Sequence, residues 1–114
     1  MEKSKAAAQF LDILFSGEDL DRLRAYLKDD FRFEGPFFQS ETADAYLAAM
    51  KEEPPVGFTF KVLQTYENEQ GVCVIYSFEK EELSTTMCQT FEFIDGKIAH
   101  MRLIFDTQLF LQPY

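Results

Sequence analysis

The residue types that most often carry catalysis are scarce in this sequence. His100 is the only histidine, and the two cysteines, Cys73 and Cys88, have no CxxC spacing. One histidine cannot form a histidine-rich metal site, so the reactive pair that these residues could form is a cysteine–histidine dyad. Strand alternation places Cys88 and His100 on the outer face of adjacent strands, where a thiol has no cleft to serve. For Cys88 and His100 we favour a polar sheet face or a dimer contact over a reactive dyad. Because both cysteines lie inside predicted strands and have no CxxC spacing, we interpret them as reduced core thiols.

Sequence motifs that bind phosphates or metal ions are also absent. The sequence contains no glycine-rich phosphate loop, no nucleophile elbow, no HExxH and no EF-hand spacing. Tyr26, Tyr46 and Tyr76 could offer hydroxyl groups to a ligand, but each occupies a core-facing position, where a packed ring with a satisfied hydroxyl is the usual role. The sequence therefore predicts neither a cofactor nor a metal ion.

A long hairpin positions most of the residues that could contact a ligand. In STTMCQTFEFIDGKIAHMRLIFDTQLF, residues 84–110, apolar residues at every second position predict two strands on either side of Asp95-Gly96. A two-residue turn would place His100 and Arg102 against phenylalanines, which is costly for a cation. We therefore predict a three-residue loop, residues 94–96, with Gly96 in the left-handed conformation. The inner face then carries Phe91, Phe93, Met101, Leu103 and Phe105, and the outer face carries Thr90, Glu92, His100 and Arg102.

Two helices precede the first strand. Apolar residues at helical spacing predict one helix over residues 3–16 and a second over residues 19–28. Asp19 is expected to cap the second helix, and Lys28 suits the negative end of its dipole.

In the rest of the chain, the spacing of apolar residues predicts a strand, a helix and then four more strands. Residues 30–34 alternate between apolar and charged side chains and predict a short strand. Ser40 is expected to cap a third helix that ends at Pro54-Pro55, because proline cannot continue the hydrogen-bond ladder. From residue 56 onward the period is two, which predicts four antiparallel strands. Helices first and a strand meander later indicate the α+β class.

Composition limits the partners of this protein. The chain has 114 residues, 46% of them hydrophobic and thirteen of them phenylalanine, which predicts one globular domain over residues 1–114. Its formal net charge of −9 disfavours nucleic acid and anionic membrane surfaces. No segment is typical of a signal peptide or of a membrane span, so we expect a cytoplasmic location.

The element order, with GEDLDRLRAYLKDDFRFEGP early and FEFIDGKIAHMRLIFD late, resembles the nuclear-transport-factor-2-like superfamily, including its SnoaL-like branch and ketosteroid isomerase. The similarity covers essentially the whole chain, and each motif is short. It implies three N-terminal helices packed in the concave face of a strongly curved, mostly antiparallel sheet, a cone-shaped α+β barrel. It also implies a pocket at the open end of the cone and a homodimer through the outer sheet face, here Thr90, Glu92, His100 and Arg102.

The resemblance also identifies positions where catalytic residues would lie. Ketosteroid isomerase-like members use a tyrosine on the first helix, an aspartate after the first strand and a protonated aspartate on the penultimate strand. The matching positions here are Phe10, Gly35 and Gln89, which implies that the base and both acidic donors are absent. The Gln89 amide could donate a hydrogen bond to a ligand oxygen, or bond a neighbouring backbone group or water. Glu34 points away from the pocket by alternation, and Asp106, where SnoaL-like members often carry an aspartate, is expected to form a salt bridge or cap the strand.

Three functions remain open. The first is a small-molecule-binding protein of the SnoaL-like type, with an apolar, aromatic-lined pocket for a small apolar ligand. The second is an isomerase, cyclase or hydratase on a small apolar organic substrate, although no pocket-facing carboxylate or histidine is evident for acid–base catalysis. The third is a dimeric interaction scaffold whose cone is filled by phenylalanines. We favour the first, with predicted ligand-binding residues Phe10, Leu14, Phe33, Tyr76, Met87, Gln89, Phe91, Met101, Leu103 and Phe105.

Overall fold

Helices dominate the first half of the chain and strands the second half. A computed structural model describes residues 2–55 and 57–111. The elements are helix α1 (Lys3–Ser16), a 3₁₀ helix (Leu20–Tyr26), strands β1 (Leu27–Glu34) and β2 (Gln39–Ser40), helix α2 (Ala43–Glu52), strands β3 (Thr59–Glu67), β4 (Gly71–Lys80), β5 (Leu83–Ile94) and β6 (Lys97–Ile104), and helix α3 (Gln108–Leu111). Among the described residues, no helix combines the length and the apolar character needed to cross a membrane.

The strands form one curved sheet in the order β2-β1-β6-β5-β4-β3. Strands β1 and β6 are parallel, and every other neighbouring pair is antiparallel. Because β2 and β3 are edges that do not pair with each other, the sheet is an open cone and not a closed barrel. The predicted α+β class, with helices in the concave face of a mostly antiparallel sheet, is confirmed.

The core lies between the helices and the concave face of the sheet. Phe10 of α1 meets Phe91 of β5 edge-on, with ring centroids 6.1 Å apart. Tyr46 of α2 contacts Phe31 and Phe33 of β1, with centroids at 5.3 and 5.1 Å. These aromatic contacts exclude water from the core and hold both helices against the sheet.

The hairpin turn differs from its prediction. Ile94 pairs with Lys97, so the connection is the two-residue turn Asp95-Gly96 and not a three-residue loop. Both turn residues have positive φ, 53° for Asp95 and 80° for Gly96. An Asp-Gly pair accepts this conformation, whose twist matches that of the flanking strands.

A bulge in β6 nevertheless produces the predicted facing of side chains. Phe93 pairs with Ile98 and Glu92 with His100, which leaves Ala99 as an extra residue in β6. One extra residue reverses the alternation, so the two-residue turn does not bury the polar residues as expected. Beyond the bulge, the buried residues and the ionic residues of β5 and β6 lie on the predicted opposite faces.

The second helical segment is shorter than predicted. It is a 3₁₀ helix of seven residues, and Asp19, in the left-handed region with φ of 51°, makes no side-chain cap. Strand β1 already begins at Leu27, so Lys28 belongs to a strand and not to a helix end. Pairing of Leu27 with Ile98 of β6 takes these residues into the sheet.

Two further boundaries were also wrong. Thr42, and not Ser40, caps α2, because its hydroxyl accepts a hydrogen bond of 3.0 Å from the Ala45 N–H. Ser40 pairs with Phe33 in the two-residue strand β2. Strand β6 ends at Ile104, two residues before its predicted end at Asp106, and the short helix α3 follows.

Candidate functional site

A cavity of about 360 Å³ opens between the concave face and the helices. Strands β4 and β5 form its back wall, α1 and α2 form its sides, and the segment after β1 together with α3 borders its mouth. The cavity is therefore enclosed by segments that lie far apart in the sequence.

Seven of the ten predicted ligand-binding residues line this cavity. They are Leu14, Phe33, Tyr76, Met87, Gln89, Leu103 and Phe105. Phe10, Phe91 and Met101 do not line it, and they are packed in the core away from the cavity. These three face inward as predicted, but they lie deeper in the cone, where α1 covers the sheet.

Sequence reasoning missed several aromatic residues of the wall. Phe58 and Phe78 follow the same alternation as Tyr76 and could have been included on that signal. Phe37 and Phe110 lie outside the predicted periodic elements, so no pattern placed them at the cavity. Further wall residues are Phe15, Gly35, Pro36, Phe38, Tyr46, Met50, Glu53, Pro54 and Pro55.

One buried hydrogen-bonded pair marks the back wall. The Tyr76 hydroxyl donates to Gln89 Oε1 at 2.8 Å, and Gln89 Nε2 donates to Met101 Sδ at 2.7 Å. Burial raises the pKa of Tyr76 well above its ordinary value, so this hydroxyl stays protonated. The Gln89 carbonyl is thus engaged, whereas the second N–H of its amide remains available to a further acceptor.

Tyr46 is a second polar group of the wall. Its side chain is almost completely buried, at 1% exposure, and burial is the one cause that shifts its pKa. Burial raises the pKa of Tyr46 far above its ordinary value, so it is a neutral donor. Because Tyr46 lines the cavity, its hydroxyl could donate a hydrogen bond to a ligand oxygen there.

Acid and base groups are nearly absent from the wall. Among the described lining residues, Glu53 is the one carboxylate, and it is exposed just beyond the end of α2. At the positions that the family resemblance matched to catalytic aspartates, Gly35 and Gln89 do line the cavity, and neither can act as a base. The described residues also contain no group of three or more histidine, cysteine, aspartate or glutamate side chains that could hold a metal ion.

The charged residues of the last strands lie on the outer face instead. His100 Nδ1 is 2.8 Å from Glu92 Oε2, and Arg102 Nη2 donates to Glu34 Oε2 at 3.0 Å. The hydrogen bond from Arg102 is the main cause of a lowered pKa at Glu34. Asp106 caps α3, since its carboxylate accepts a hydrogen bond from the N–H of Gln108 at 3.0 Å.

The interpretation of both cysteines as core thiols was wrong. Cys73 and Cys88 are only half-buried, and they face outward between the inward residues of β4 and β5. Their sulfurs are 3.4 Å apart. The sequence contained no spacing signal for this contact, because it depends on how the two strands pair.

The model of the SnoaL-like domain family matches residues 7–101 of this chain. No curated protein sequence shows a significant match. An NTF2-like protein of unknown function from Cytophaga hutchinsonii superposes with a TM-score of 0.84 at 19% identity, over 98% of this chain and 96% of that protein. An LEH-like epoxide hydrolase from M. tuberculosis has a TM-score of 0.74 at 24% identity, over 91% and 82%.

A de novo designed protein with a curved β-sheet is also similar in structure. Its TM-score is 0.75 at 17% identity, over 95% of this chain and 90% of the design. Likenesses at such identities show the fold alone. Together with the family match, they confirm the predicted resemblance to the nuclear-transport-factor-2-like superfamily.

Proposed function

Because this chain belongs to the family of SnoaL-like domains, we propose that it binds a small, neutral, largely apolar molecule in the cavity between its helices and its sheet. The observation that carries this proposal is a cavity of about 360 Å³ that reaches the buried Tyr76–Gln89 pair. Small-ligand sites typically span about 300–1,000 Å³ and combine an apolar wall with a few polar groups. The open space argues against a cone filled by phenylalanine rings.

The polar groups of the wall favour a ligand that carries an oxygen acceptor. The Tyr46 hydroxyl and the second Gln89 N–H are neutral donors in the cavity wall. No lysine, arginine or histidine belongs to the described lining, so a carboxylate or phosphate would be desolvated without a counter-charge. A ketone, ether or alcohol on an apolar ring system is the ligand class that these groups suit.

An isomerase, cyclase or hydratase is the second candidate. The observation in its favour is that Tyr46 remains a neutral, buried donor in the cavity wall, which could polarise a substrate oxygen. One structural relative is described as an LEH-like epoxide hydrolase. Proton abstraction also requires a base, and Glu53, the one carboxylate of the described lining, is exposed at the rim. Binding without turnover is therefore the function that the lining supports better.

We also propose a homodimer through the outer sheet face at Thr90, Glu92, His100 and Arg102. The exposed side chain of Ile104, at 54%, extends this face with apolar surface that a second copy would cover. Sedimentation equilibrium of the wild type and of Ile104→Lys tests this proposal, which predicts dissociation of the variant. A single domain over residues 1–114 and a cytoplasmic location stay predictions.

Ligand binding is tested with 2-acetylnaphthalene, a neutral ketone, and with 2-naphthoate, the same ring carrying a carboxylate. NMR titration should show saturable shifts of amides in β4 and β5 with the ketone, and at least 10-fold weaker binding of the carboxylate. Tyr46→Phe should weaken ketone binding about 3- to 10-fold, since one hydrogen bond to a neutral group contributes about 0.5–1.5 kcal/mol.

Adjacent residues of β6 provide a matched pair of variants. Leu103 lines the cavity and Ile104 faces outward, so Leu103→Trp should abolish ketone binding and Ile104→Trp should preserve it. The proposal is overturned if the ketone does not bind up to its solubility, or if both tryptophan variants bind it equally. Chemical conversion of the ketone during the titration would favour the enzyme.

A further inference from the structure

The two cysteines are diagonal neighbours on the outer face of the sheet. Cys73 of β4 pairs with Thr90 of β5, and Cys88 of β5 pairs with Ile75 of β4. Each cysteine therefore sits two residues from the position directly opposite the other. Because both point away from the cavity, their chemistry does not depend on the proposed ligand.

The distance between the two sulfurs suits a covalent bond. The sulfur atoms are 3.4 Å apart, and a disulfide has an S–S distance of about 2.05 Å, so they need to approach by about 1.4 Å. Because diagonal neighbours lie about 7–8 Å apart and the Cα atoms of a disulfide usually lie about 4.4–6.8 Å apart, closing the bond takes side-chain rotation together with a small shift of the β4–β5 backbone. Both residues are half-buried, and in the monomer Cys73 also borders a surface depression next to Tyr66 and Glu67, through which a small reagent can reach it.

We infer that Cys73 and Cys88 form a reversible intrachain disulfide across β4 and β5 by exchange with a low-molecular-weight disulfide such as oxidised glutathione. One cysteine thiolate attacks a glutathione sulfur, forms a mixed disulfide and releases the first reduced glutathione. The second cysteine thiolate attacks the protein sulfur of that mixed disulfide and releases the second reduced glutathione. Two cysteine thiols are oxidised, one glutathione disulfide is reduced, and the two thiol protons end on the released glutathiones.

Proximity, and not an activated thiolate, favours this bond. Burial, together with the neighbouring thiol, raises the pKa of Cys73 to about 11, so this thiol is protonated at neutral pH. A sulfur that is held beside its partner closes the mixed disulfide before a second glutathione can react. The bond would also fix the register of the β4–β5 hairpin, because it closes a loop between residues 15 positions apart.

The test is equilibration of the full-length protein in glutathione buffers of increasing oxidising ratio. Acid quenching, iodoacetamide treatment and intact-mass measurement then count the free thiols. The wild type is expected to change from two alkylated thiols to none in one step, without a glutathione adduct, as a monomer on a non-reducing gel, and reversibly with dithiothreitol. The oxidised form should also unfold about 5–15 °C higher than the reduced form.

Three variants make the result specific. Cys73→Ser and Cys88→Ser should each keep one thiol and accumulate a glutathione adduct. The double variant Thr86→Cys/Cys88→Ser keeps two cysteines on the same face, but moves one of them two residues farther from Cys73, and should not form the bond. Two glutathione adducts on the wild type, an interchain disulfide, two alkylated thiols at the most oxidising ratio, or equal oxidation of the double variant would each overturn the inference.

Discussion

Phenylalanine side chains lie at both ends of the concave sheet face. They fill the closed end and surround a cavity at the open end. At the closed end, beneath α1, Phe10, Phe91 and Met101 pack with no exposed surface. At the open end, near Pro54-Pro55 and α3, phenylalanines surround a cavity of about 360 Å³. The difference shows that aromatic content does not decide whether a cone is filled or hollow. The closed end differs in that Phe10 of α1 fills the space over Phe91.

Helix coverage explains this difference. At the closed end, Phe10 of α1 inserts between the sheet and the neighbouring helices, where it contacts Tyr26, Tyr46 and Phe91. At the open end, α2 ends at Glu52 and its aromatic neighbours contact one another, as Phe105 and Phe110 do at 4.9 Å.

The strongest test of this comparison is deletion of one ring at each end. Phe91→Ala at the closed end should lower the free energy of unfolding by about 3–5 kcal/mol, because it leaves a sealed void. Phe105→Ala at the open end should cost less than about 1.5 kcal/mol, because that half-buried ring already borders a cavity. Urea denaturation followed by circular dichroism measures both values. Equal costs would mean that the two ends are packed alike.

A smaller effect is expected from adding a methyl group at each end. A Cβ at Gly71 would lie 2.0 Å from the carbonyl oxygen of Phe91, which is backbone and cannot rotate away. A Cβ at Gly35 would lie 2.8 Å from the ring of Phe33, which borders the cavity and can move into it. Gly71→Ala should therefore cost about 1–3 kcal/mol or more, and Gly35→Ala less than about 1 kcal/mol.

Urea denaturation followed by circular dichroism also measures the free energy of unfolding of both glycine variants. A larger loss of stability in Gly35→Ala than in Gly71→Ala would contradict the expectation that the Phe33 ring at the open end can move into the cavity. Amide shifts of Phe33 and its neighbours in Gly35→Ala report whether the ring has moved.

The smallest effect is expected on the outer face, close to the open end, where Glu34 bonds Arg102. The pKa of Glu34 is lowered in the folded protein, mainly by this hydrogen bond. The stabilisation is therefore present above the carboxylate's unfolded pKa of about 4.3 and is lost as pH falls through the folded pKa. In Arg102→Gln, NMR titration should give a higher pKa for Glu34, and unfolding should depend less on pH in that window. An unchanged pKa would show that the exposed pair is too weakly coupled to matter.

Local patterns predicted much of the architecture. The helical spacing of apolar residues predicted the bounds of α1, and strict alternation predicted which residues of β4, β5 and β6 face the helices. The predicted orientation of the side chains in β6 is correct, but its structural cause differs from the predicted loop. A two-residue turn and a bulge at Ala99 together produce the parity that had been assigned to a three-residue loop.

Alternation predicts the face of the sheet on which a side chain lies. It does not predict whether that position lies in the sealed core or at the cavity. Phe91 and Gln89 are two residues apart on one face of β5, yet one lies in the sealed core and the other lines the cavity. The hydrophobic free energy that selects the face is the same at both positions. What separates them is the place where α1 crosses the sheet.

The sequence by itself determined the class of the protein, the polarity of each sheet face and the absence of catalytic aspartates at the positions that the family resemblance identifies. Only the tertiary structure decided which inward residues border open space, that the Tyr76 hydroxyl bonds Gln89, and that Cys73 and Cys88 touch. Face and period depend on neighbours a few residues away. Depth, cavities and contacts between strands depend on how distant segments pack, which no local pattern encodes.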